Sequence, residues 1–287
     1  MDITATMVKE LRDRTGAGMM DAKKALVEVD GDMDKAMEVL RQKGIASADK
    51  KMGRIAAEGR VGSYVSDSVG AMIEVNCETD FVAKNEEFIE LTNGLAELVA
   101  NTNPADVDAL LNTTCPKCGK LVADVIKEKI ASIGEKITVR RFVRYEGNTA
   151  TYIHNGKIGV LLSTSAKDDV LAKDICLHIA SSAPEFVSRA DIPQSVIDEE
   201  TRIEMGKEDL ASKPEQIRAK IVEGRVNKLM AQRCLIEQPF VKDPNQTIEQ
   251  LISGKFSILK FDRYVLGEGL EKRSDNFADE VMSQLKG

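Results

Sequence analysis

Within residues 71–91 the hydrophobic periodicity of the chain changes from two residues to between three and four. Residues 71–76 alternate apolar and polar side chains, which is the pattern of a half-buried β-strand. From Asn85 onward the apolar residues recur three or four positions apart, as in an amphipathic helix; they are Phe88, Leu91, Leu95 and Leu98. A strand that leads directly into such a helix predicts a sheet covered by helices, so we expect an α+β fold.

A polar corner with one large aromatic residue joins this strand to this helix. The corner runs from Cys77 to Val82. Either Thr79 or Asp80 can cap the helix, because a short side-chain oxygen accepts hydrogen bonds from the free amides of the first turn. Phe81 would then lie in that turn. Two interpretations of Phe81 are open: a core residue that closes the helix end, or an exposed wedge on a rigid corner that inserts into a partner.

Composition limits the classes of function. With 287 residues, 43% of them hydrophobic and 30% charged, the chain has the composition of a globular protein of two or three compact units. A net charge of −7 and the lack of tryptophan argue against nucleic-acid binding, which needs a basic surface or stacking platforms. The sequence has no signal-peptide pattern and no apolar run of membrane-spanning length. We therefore expect a cytoplasmic protein that binds neither nucleic acid nor a membrane.

The five cysteines are scattered and odd in number, which argues against a disulfide framework. Cys115 and Cys118 are the exception, since their spacing is that of half a zinc site or of a thiol redox pair. A structural zinc ion needs four ligands, no second close cysteine pair exists, and His154 and His178 fall in hairpin and helix patterns. The default interpretation is a loop insertion, and we expect no metal and no cofactor.

Residues 1–54 predict a bundle of three short helices, similar to a ubiquitin-associated domain. Bundles of this type bind partners through apolar surface near their first loop, which makes Met19 and Met20 candidate contact residues; the alternative is ordinary core. Residues 50–54 predict a polar linker after the bundle. The three helices are expected at Thr4 to Arg14, at Met19 to Val29, and from Asp32 to a stop at Gly44, with Thr4 and Asp32 as N-caps.

The rest of the chain predicts two related β-β-α-α-β units, residues 55–146 and 147–270. In the second unit, Asn155-Gly156 between two apolar runs indicates a tight hairpin. A protruding antiparallel helical hairpin is expected to interrupt the second unit at about residues 189–238. A C-terminal module, residues 271–287, is expected to contain one last helix. The helical hairpin is expected because Val196, Ile203, Leu210 and Ile217 are spaced seven apart and because Ser212 to Glu215 has the pattern of a capping box. The last helix is expected because the segment from Ser274 to Leu285 has an apolar face.

Two long strings resemble the bacterial elongation factor Ts family, the nucleotide exchange factors of elongation factor Tu. One is EVNCETDFVAKNEEF, residues 74–88, and the other is VKELRDRTGAGMMDAKKAL, residues 8–26. The resemblance implies that the N-terminal bundle, the helical hairpin and the last helix have counterparts in the family. Family members differ from this chain in the loop near residues 101–119 and often have an apolar residue where Lys242 stands.

The resemblance also implies a mechanism and a set of contact residues. The corner would wedge Phe81 into the GTPase domain of elongation factor Tu and so disturb the binding of Mg²⁺ and phosphate. The chain itself has no phosphate loop, so GDP, GTP and Mg²⁺ would be held by the partner. The implied wedge residues are Thr79, Asp80, Phe81 and Val82, flanked by Ile133 and Gly134. Further implied contacts are Arg12, Met19, Met20, Val241, Lys242 and His154.

Two other classes of function compete with this expectation. A cysteine-dependent enzyme would use Cys77 as its nucleophile and His154 or His178 as its base. An adaptor of the ubiquitin-associated type would bind other partners through residues 1–54 alone. The helical hairpin is either a self-contained spacer or a pairing surface, and both a homodimer and a heterotetramer with the partner stay open.

Overall fold

The structure, a computed structural model, describes residues 3–271, without the side chains of residues 45–49. The predicted last helix, Ser274 to Leu285, lies outside the described residues. The α+β class and the three N-terminal helices are confirmed. The helices are α1 (Ala5–Thr15), α2 (Met19–Glu28), α3 (Met33–Lys51), α4 (Asp80–Ala83), α5 (Glu86–Thr102), α6 (Val107–Leu111), α7 (Val122–Ile133), α8 (Asp169–Ser182), α9 (Gln194–Met205), α10 (Glu215–Arg233) and α11 (Ile248–Ile252).

Two three-stranded sheets and one two-stranded sheet are formed by the described residues. The sheet orders are β1-β2-β3, β4-β5-β8 and β6-β7. In both three-stranded sheets the second strand lies in the middle and helices come between the second and the last strand in sequence, and the two-unit repeat stays a prediction. The strands are β1 (Glu58–Val65), β2 (Val69–Cys77), β3 (Thr138–Glu146), β4 (Asn148–His154), β5 (Ile158–Thr164), β6 (Pro239–Phe240), β7 (Asp243–Thr247) and β8 (Ile258–Val265).

The N-terminal bundle packs α1, α2 and α3 around a small apolar core that includes Leu11 and Leu26. Thr4 caps α1 as predicted, since its hydroxyl accepts from the N–H of Met7 at 3.3 Å. The predicted stop at Gly44 is wrong, because α3 continues to Lys51 and takes up part of the expected linker. The glycine serves close packing instead: α3 lies against α7, and a Cβ at position 44 would come within 2.9 Å of the Cβ of Ala131.

Strand β2 is buried along its whole length, so the expectation of a half-buried strand is wrong. The two polar residues of its alternating pattern, Glu74 and Asn76, are also buried. Glu74 can be buried because its carboxylate accepts from Arg140 Nη1 at 3.0 Å, from Arg141 Nε at 2.7 Å and from the N–H of Gly267 at 2.9 Å. A buried carboxylate with three such donors is compensated for the loss of water.

The hairpin of β4 and β5 forms where Asn155-Gly156 predicted it. The strands pair antiparallel up to His154 and Ile158, so three residues connect them, and the first two, Asn155 and Gly156, have positive φ, 51° and 71°. Helix α8 covers this hairpin. The side chains between them form an apolar core that includes Val160, Leu162, Ile175 and Ile179.

Helices α9 and α10 form the predicted helical hairpin, which has an apolar core of its own that includes Leu210 and Val222. The residues spaced seven apart do not all lie in this core: Leu210 is buried, whereas Ile203 and Ile217 are about half exposed. The predicted capping box from Ser212 to Glu215 is wrong: Pro214 occupies the N-cap position of α10, and no side chain caps that end. Proline is suited to a helix start because it has no N–H to satisfy.

The described residues divide into two compact units. One comprises residues 3–62, 73–142 and 265–271, and the other comprises residues 63–72 and 143–264. The first contains the N-terminal bundle and the corner after β2, and the second contains the β4-β5 hairpin and the helical hairpin. The domain boundaries predicted from the sequence stay a prediction.

Candidate functional site: an exposed corner in the first unit

The corner after β2 is built from two successive helix starts. Thr79 caps the one-turn helix α4, since its hydroxyl accepts from the N–H of Val82 at 3.4 Å. Asn85 then caps the long helix α5 by accepting from the N–H of Glu87 at 2.8 Å. Of the two caps proposed from sequence, Thr79 is therefore the one in use. Asp80, the first residue of α4, forms a 2.6 Å ion pair with Lys84 one turn later.

Phe81 lies in α4 with 81% of its surface exposed, so its interpretation as a core residue is wrong. The core position of this segment belongs to Phe88, which is fully buried in α5. Ala83 is the buried residue of α4, and Val82 is half-buried. The corner thus presents one aromatic ring to solvent from a turn whose other apolar side chains are buried or half-buried.

The chain segment that follows α7 holds the corner in place. Gly134 ends α7 with a φ of +90°, a conformation that a side chain would strain. The next residue, Glu135, accepts from the N–H of Glu78 at 3.1 Å, from the N–H of Thr79 at 3.0 Å and from the Thr79 hydroxyl at 2.6 Å. Charge-assisted bonds of this kind are stronger than neutral ones, so one carboxylate fixes both residues at the start of the corner.

A reciprocal set of bonds runs in the opposite direction. The Glu78 carboxylate accepts from the N–H of Lys136 at 2.7 Å and from Arg54 Nη1 at 3.2 Å. The Lys136 ammonium in turn donates to the carbonyl of Arg54 at 2.9 Å. The roles of Glu78, Glu135 and Arg54 were not predicted from the sequence, because they depend on pairing between distant segments. The acidic residue directly after the helix stop at Gly134 was the only available signal.

Cys77 is part of this support and not a nucleophile. It is fully buried, and its thiol donates to the carbonyl of Thr79 at 3.1 Å. Burial, reinforced by the negative charge of Glu135, raises the pKa of Cys77 to about 12, so the thiolate does not form at neutral pH. The rings of His154 and His178 bond to other groups: His154 to Tyr152 and Asn155, and His178 to Gln238 and the N–H of Val241.

The N-terminal residues proposed as contacts lie in the same unit as the corner. Met19 and Met20, at the start of α2, are 49% and 64% exposed, so their interpretation as ordinary core is wrong. Arg12 lies on α1 and bonds to the neighbouring Asp13 through two guanidinium nitrogens, at 2.9 and 2.6 Å. Met19 and Met20 form an exposed apolar pair directly after the loop that ends at Gly18.

The other three proposed contacts lie in the second unit. Val241 is 42% exposed, and its N–H donates to His178 Nδ1 at 3.2 Å. Lys242 is also exposed and forms a 2.6 Å ion pair with Asp174 of α8. His154 ends β4 and is exposed.

Two kinds of feature are absent from the described residues, 3–271. No helix there is long and apolar enough to cross a membrane. No group of three or more histidine, cysteine or acidic side chains is arranged there to hold a metal ion.

An α+β chain that presents a rigid, exposed aromatic corner and an exposed methionine pair has the features of a protein that binds another protein. Comparison with known proteins gives the particular family: residues 78–268 match the family described as Elongation factor TS. The chain is 47% identical to the elongation factor Ts of Alkalilimnicola ehrlichii and 48% identical to that of Thioalkalivibrio sulfidiphilus, and in both cases the whole of each chain is covered. It is also 47% identical to the elongation factor Ts of Chromobacterium violaceum over 99% of both chains.

The chain therefore belongs to the elongation factor Ts family. Members of this family are nucleotide exchange factors for elongation factor Tu in bacterial translation and not catalytic enzymes. The resemblance drawn from the two sequence strings is confirmed, and the alternative of a cysteine-dependent enzyme is wrong. Bacterial translation takes place in the cytoplasm, so the predicted cytoplasmic location of this chain is confirmed.

Proposed function

We propose that this chain accelerates the release of GDP from elongation factor Tu, and the GTP loading that follows, by inserting Phe81 into the GTPase domain of that partner. The observation that carries the proposal is the exposure of Phe81 on a corner held by the Glu135 carboxylate. The ring displaces elements that hold Mg²⁺ and the phosphates in the partner, and Thr79, Asp80 and Val82 set the direction in which it points. Ile133 and Gly134 flank the inserted ring.

Rigidity of the corner is what makes the wedge effective. A mobile loop would lose conformational entropy on insertion, and that loss would reduce the free energy available to disturb the nucleotide site. The corner avoids most of this loss, because Thr79 and Glu78 are already bonded to Glu135 in the free protein. The free energy of contact can then be used to distort the partner.

The coupling between this chain and GDP on the partner is reciprocal and negative. If binding of one weakens the other on the order of ten-thousandfold, the interface must offset about 5.5 kcal/mol of nucleotide affinity. Burial of one phenylalanine contributes only about 1.5–3 kcal/mol. We therefore propose additional contacts that supply affinity, made by the exposed or partly exposed residues Arg12, Met19, Met20, His154, Val241 and Lys242.

The decisive experiment measures the release of a fluorescent GDP analogue from elongation factor Tu, with and without this chain. We expect the wild-type chain to accelerate release. With Phe81→Ala the rate of release should fall by about tenfold to a hundredfold, which corresponds to the free energy lost when the ring is no longer buried in the partner. Val170→Ala is the matched control, because Val170 is 77% exposed on α8 and has no role in the proposal. No acceleration by the wild-type chain would exclude the function, and equal loss in both variants would exclude the wedge.

The expected assembly is a complex with elongation factor Tu, either as one copy of each or as a heterotetramer built on a homodimer of this chain. Sedimentation velocity of the chain alone and with nucleotide-free partner distinguishes these stoichiometries. An adaptor that used the N-terminal bundle alone would bind equally well after Phe81→Ala and would not change nucleotide release.

A further inference from the structure

The segment Cys115-Pro116-Lys117-Cys118 forms a tight turn between α6 and α7. The N–H of Cys118 donates to the carbonyl of Cys115 at 3.3 Å, and the N–H of Gly119 donates to the same carbonyl at 2.8 Å. The turn is closed at its base, where the N–H of Cys115 donates to the carbonyl of Lys120 at 2.7 Å. A bond from the fourth residue of a turn to the first holds their Cα atoms within about 7 Å, a span close to the range that a disulfide bridges.

The thiols of Cys115 and Cys118 interact within this turn. Burial would raise the pKa of Cys115, but the amides of Lys117 and Cys118 and the thiol of Cys118 donate to its sulfur and lower that pKa below its ordinary value. The nearby Lys117 ammonium acts in the same direction. A thiol that is more often ionised attacks disulfides faster at neutral pH.

The environment of this pair differs from that of the other three cysteines. Cys118 is exposed and Cys115 is partly exposed, whereas Cys77, Cys176 and Cys234 are buried. Burial raises the pKa of each buried thiol, and for Cys77 the value reaches about 12. A dissolved thiol reagent should therefore react with Cys115 and Cys118 before it reacts with the three buried cysteines.

We propose that Cys115 and Cys118 are a reversible thiol–disulfide pair that is oxidised by low-molecular-weight disulfides such as oxidised glutathione. The Cys115 thiolate attacks one sulfur of the small disulfide, and the first glutathione leaves as a thiolate that takes up a proton. Cys118 then loses its proton and attacks the Cys115 sulfur, which expels the second glutathione. Two protein thiols are oxidised to one disulfide, and one small disulfide is reduced to two thiols.

A closed metal site does not account for the pair. Zinc in a structural site takes four protein ligands, and among the described residues no third histidine, cysteine or acidic side chain joins these two. The exposed side chains near the turn include Lys117, which pairs with Glu97 at 3.2 Å and adds no metal ligand. Disulfide closure needs only the two sulfurs that the turn already brings together.

The test uses the full-length reduced chain, incubated with oxidised glutathione, quenched with acid, alkylated under denaturing conditions and measured by intact mass and peptide mapping. We expect the five alkylatable thiols to fall to three, with the new disulfide between Cys115 and Cys118 and complete recovery after dithiothreitol. Before alkylation the oxidised chain should be about 2 Da lighter and carry no glutathione. Far-UV circular dichroism checks that the fold is retained.

Three variants make the test specific. Cys118→Ser has no second thiol to complete the exchange, so it should retain one glutathione on Cys115. Cys115→Ser with Cys118→Ser should keep all three of its thiols. The proposal is overturned if the wild type keeps five thiols or retains glutathione, or if Cys234→Ser abolishes the disulfide in a folded chain. A pair that reacts only after a chelator is added holds a soft metal ion, which also overturns it.

Discussion

The Thr79 hydroxyl donates a 2.6 Å hydrogen bond to the carboxylate of Glu135, a residue 56 positions further along the chain. The same carboxylate accepts from the backbone N–H groups of Glu78 and Thr79. The corner that presents Phe81 is therefore anchored by one side chain from a different segment. The backbone N–H groups of Glu78 and Thr79 both have Glu135 as their acceptor, which makes Glu135 a positioning residue for the proposed wedge.

Replacement of Glu135 tests whether the position of Phe81 matters for exchange while the sequence of the corner stays the same. Glu135→Ala removes three charge-assisted bonds but leaves the sequence of the corner unchanged, so we expect slower GDP release from elongation factor Tu by about tenfold or more. The free energy of unfolding should fall by about 1–3 kcal/mol, since partly buried N–H groups lose their acceptor. Stopped-flow release of fluorescent GDP and chemical denaturation measure the two effects.

Glu90→Ala provides the control for the loss of one negative charge, because Glu90 is exposed on the neighbouring helix α5. It should change neither quantity beyond experimental scatter. A Glu135→Ala variant that melts earlier but exchanges at the wild-type rate at saturating concentration would show that the anchor serves stability alone.

Local turn chemistry made some parts of this fold predictable from the sequence. Asn155-Gly156 predicted its hairpin, because a positive φ is needed at both residues. The exposed corner could also be located, since the change of periodicity around Cys77 marks the boundary between strand and helix. These features depend only on neighbours in the sequence.

Other parts depend on residues far apart and could not be predicted from one sequence. Glu74 lies 66 positions from Arg140, and nothing local shows that the two meet in the interior. From the sequence alone Gly44 predicts the end of a helix, and its role in the close packing of α3 against α7 is visible only in the structure. The anchor at Glu135 belongs to the same class, because its partners precede it by more than 50 residues.

The methionine pair of α2 should contribute affinity without contributing to the exchange step. Met19→Ala combined with Met20→Ala removes exposed apolar surface, and each lost side chain weakens binding by about 1 kcal/mol or more if it is covered by the partner. We expect a higher concentration for half-maximal exchange, with the same rate at saturation. Titration of the chain against elongation factor Tu·GDP measures both.

Met205→Ala is the corresponding control, since Met205 is also exposed but lies on α9 in the helical hairpin. Its titration curve should match that of the wild type. A lower saturated rate in the α2 variant, with unchanged half-maximal concentration, would reverse the roles assigned to the bundle and the corner.

The buried Glu74 should make stability depend on acid pH. Burial alone would raise its pKa, but the Gly267 N–H and the guanidinium groups of Arg140 and Arg141 together lower it below the ordinary value of 4.5. A carboxyl whose pKa is lower in the folded state stabilises the fold above the unfolded pKa and loses this contribution as the pH falls through the folded pKa. We expect the stability provided by Glu74 to be complete at neutral pH and to decline below about pH 4.5.

Glu74→Gln should therefore destabilise the chain by about 3–5 kcal/mol at pH 7, because two arginines lose their buried partner. The difference from wild type should shrink as the pH is lowered from 5 toward 3. Glu268→Gln is the control, since Glu268 is 58% exposed and faces Arg141 at 3.7 Å. Urea denaturation at a series of pH values measures these differences, and a gap that stays constant with pH would contradict the assignment.

Phe81 and Phe88 form a matched pair for the last prediction, because they are the same residue seven positions apart in opposite environments. Phe88 is fully buried, so Phe88→Ala should leave a cavity that costs about 3–5 kcal/mol and lower the melting temperature on the order of 10 °C. Phe81 is 81% exposed, so Phe81→Ala should leave the melting temperature within about 1–2 °C of wild type. In exchange assays at a temperature where both variants are folded, the order should reverse: Phe81→Ala should be slow, and Phe88→Ala should be close to wild type. Measuring melting and GDP release on the same preparations tests both statements. A strongly destabilised Phe81→Ala variant that still exchanges normally would mean that the ring supports the fold and that another part of the corner acts on the partner.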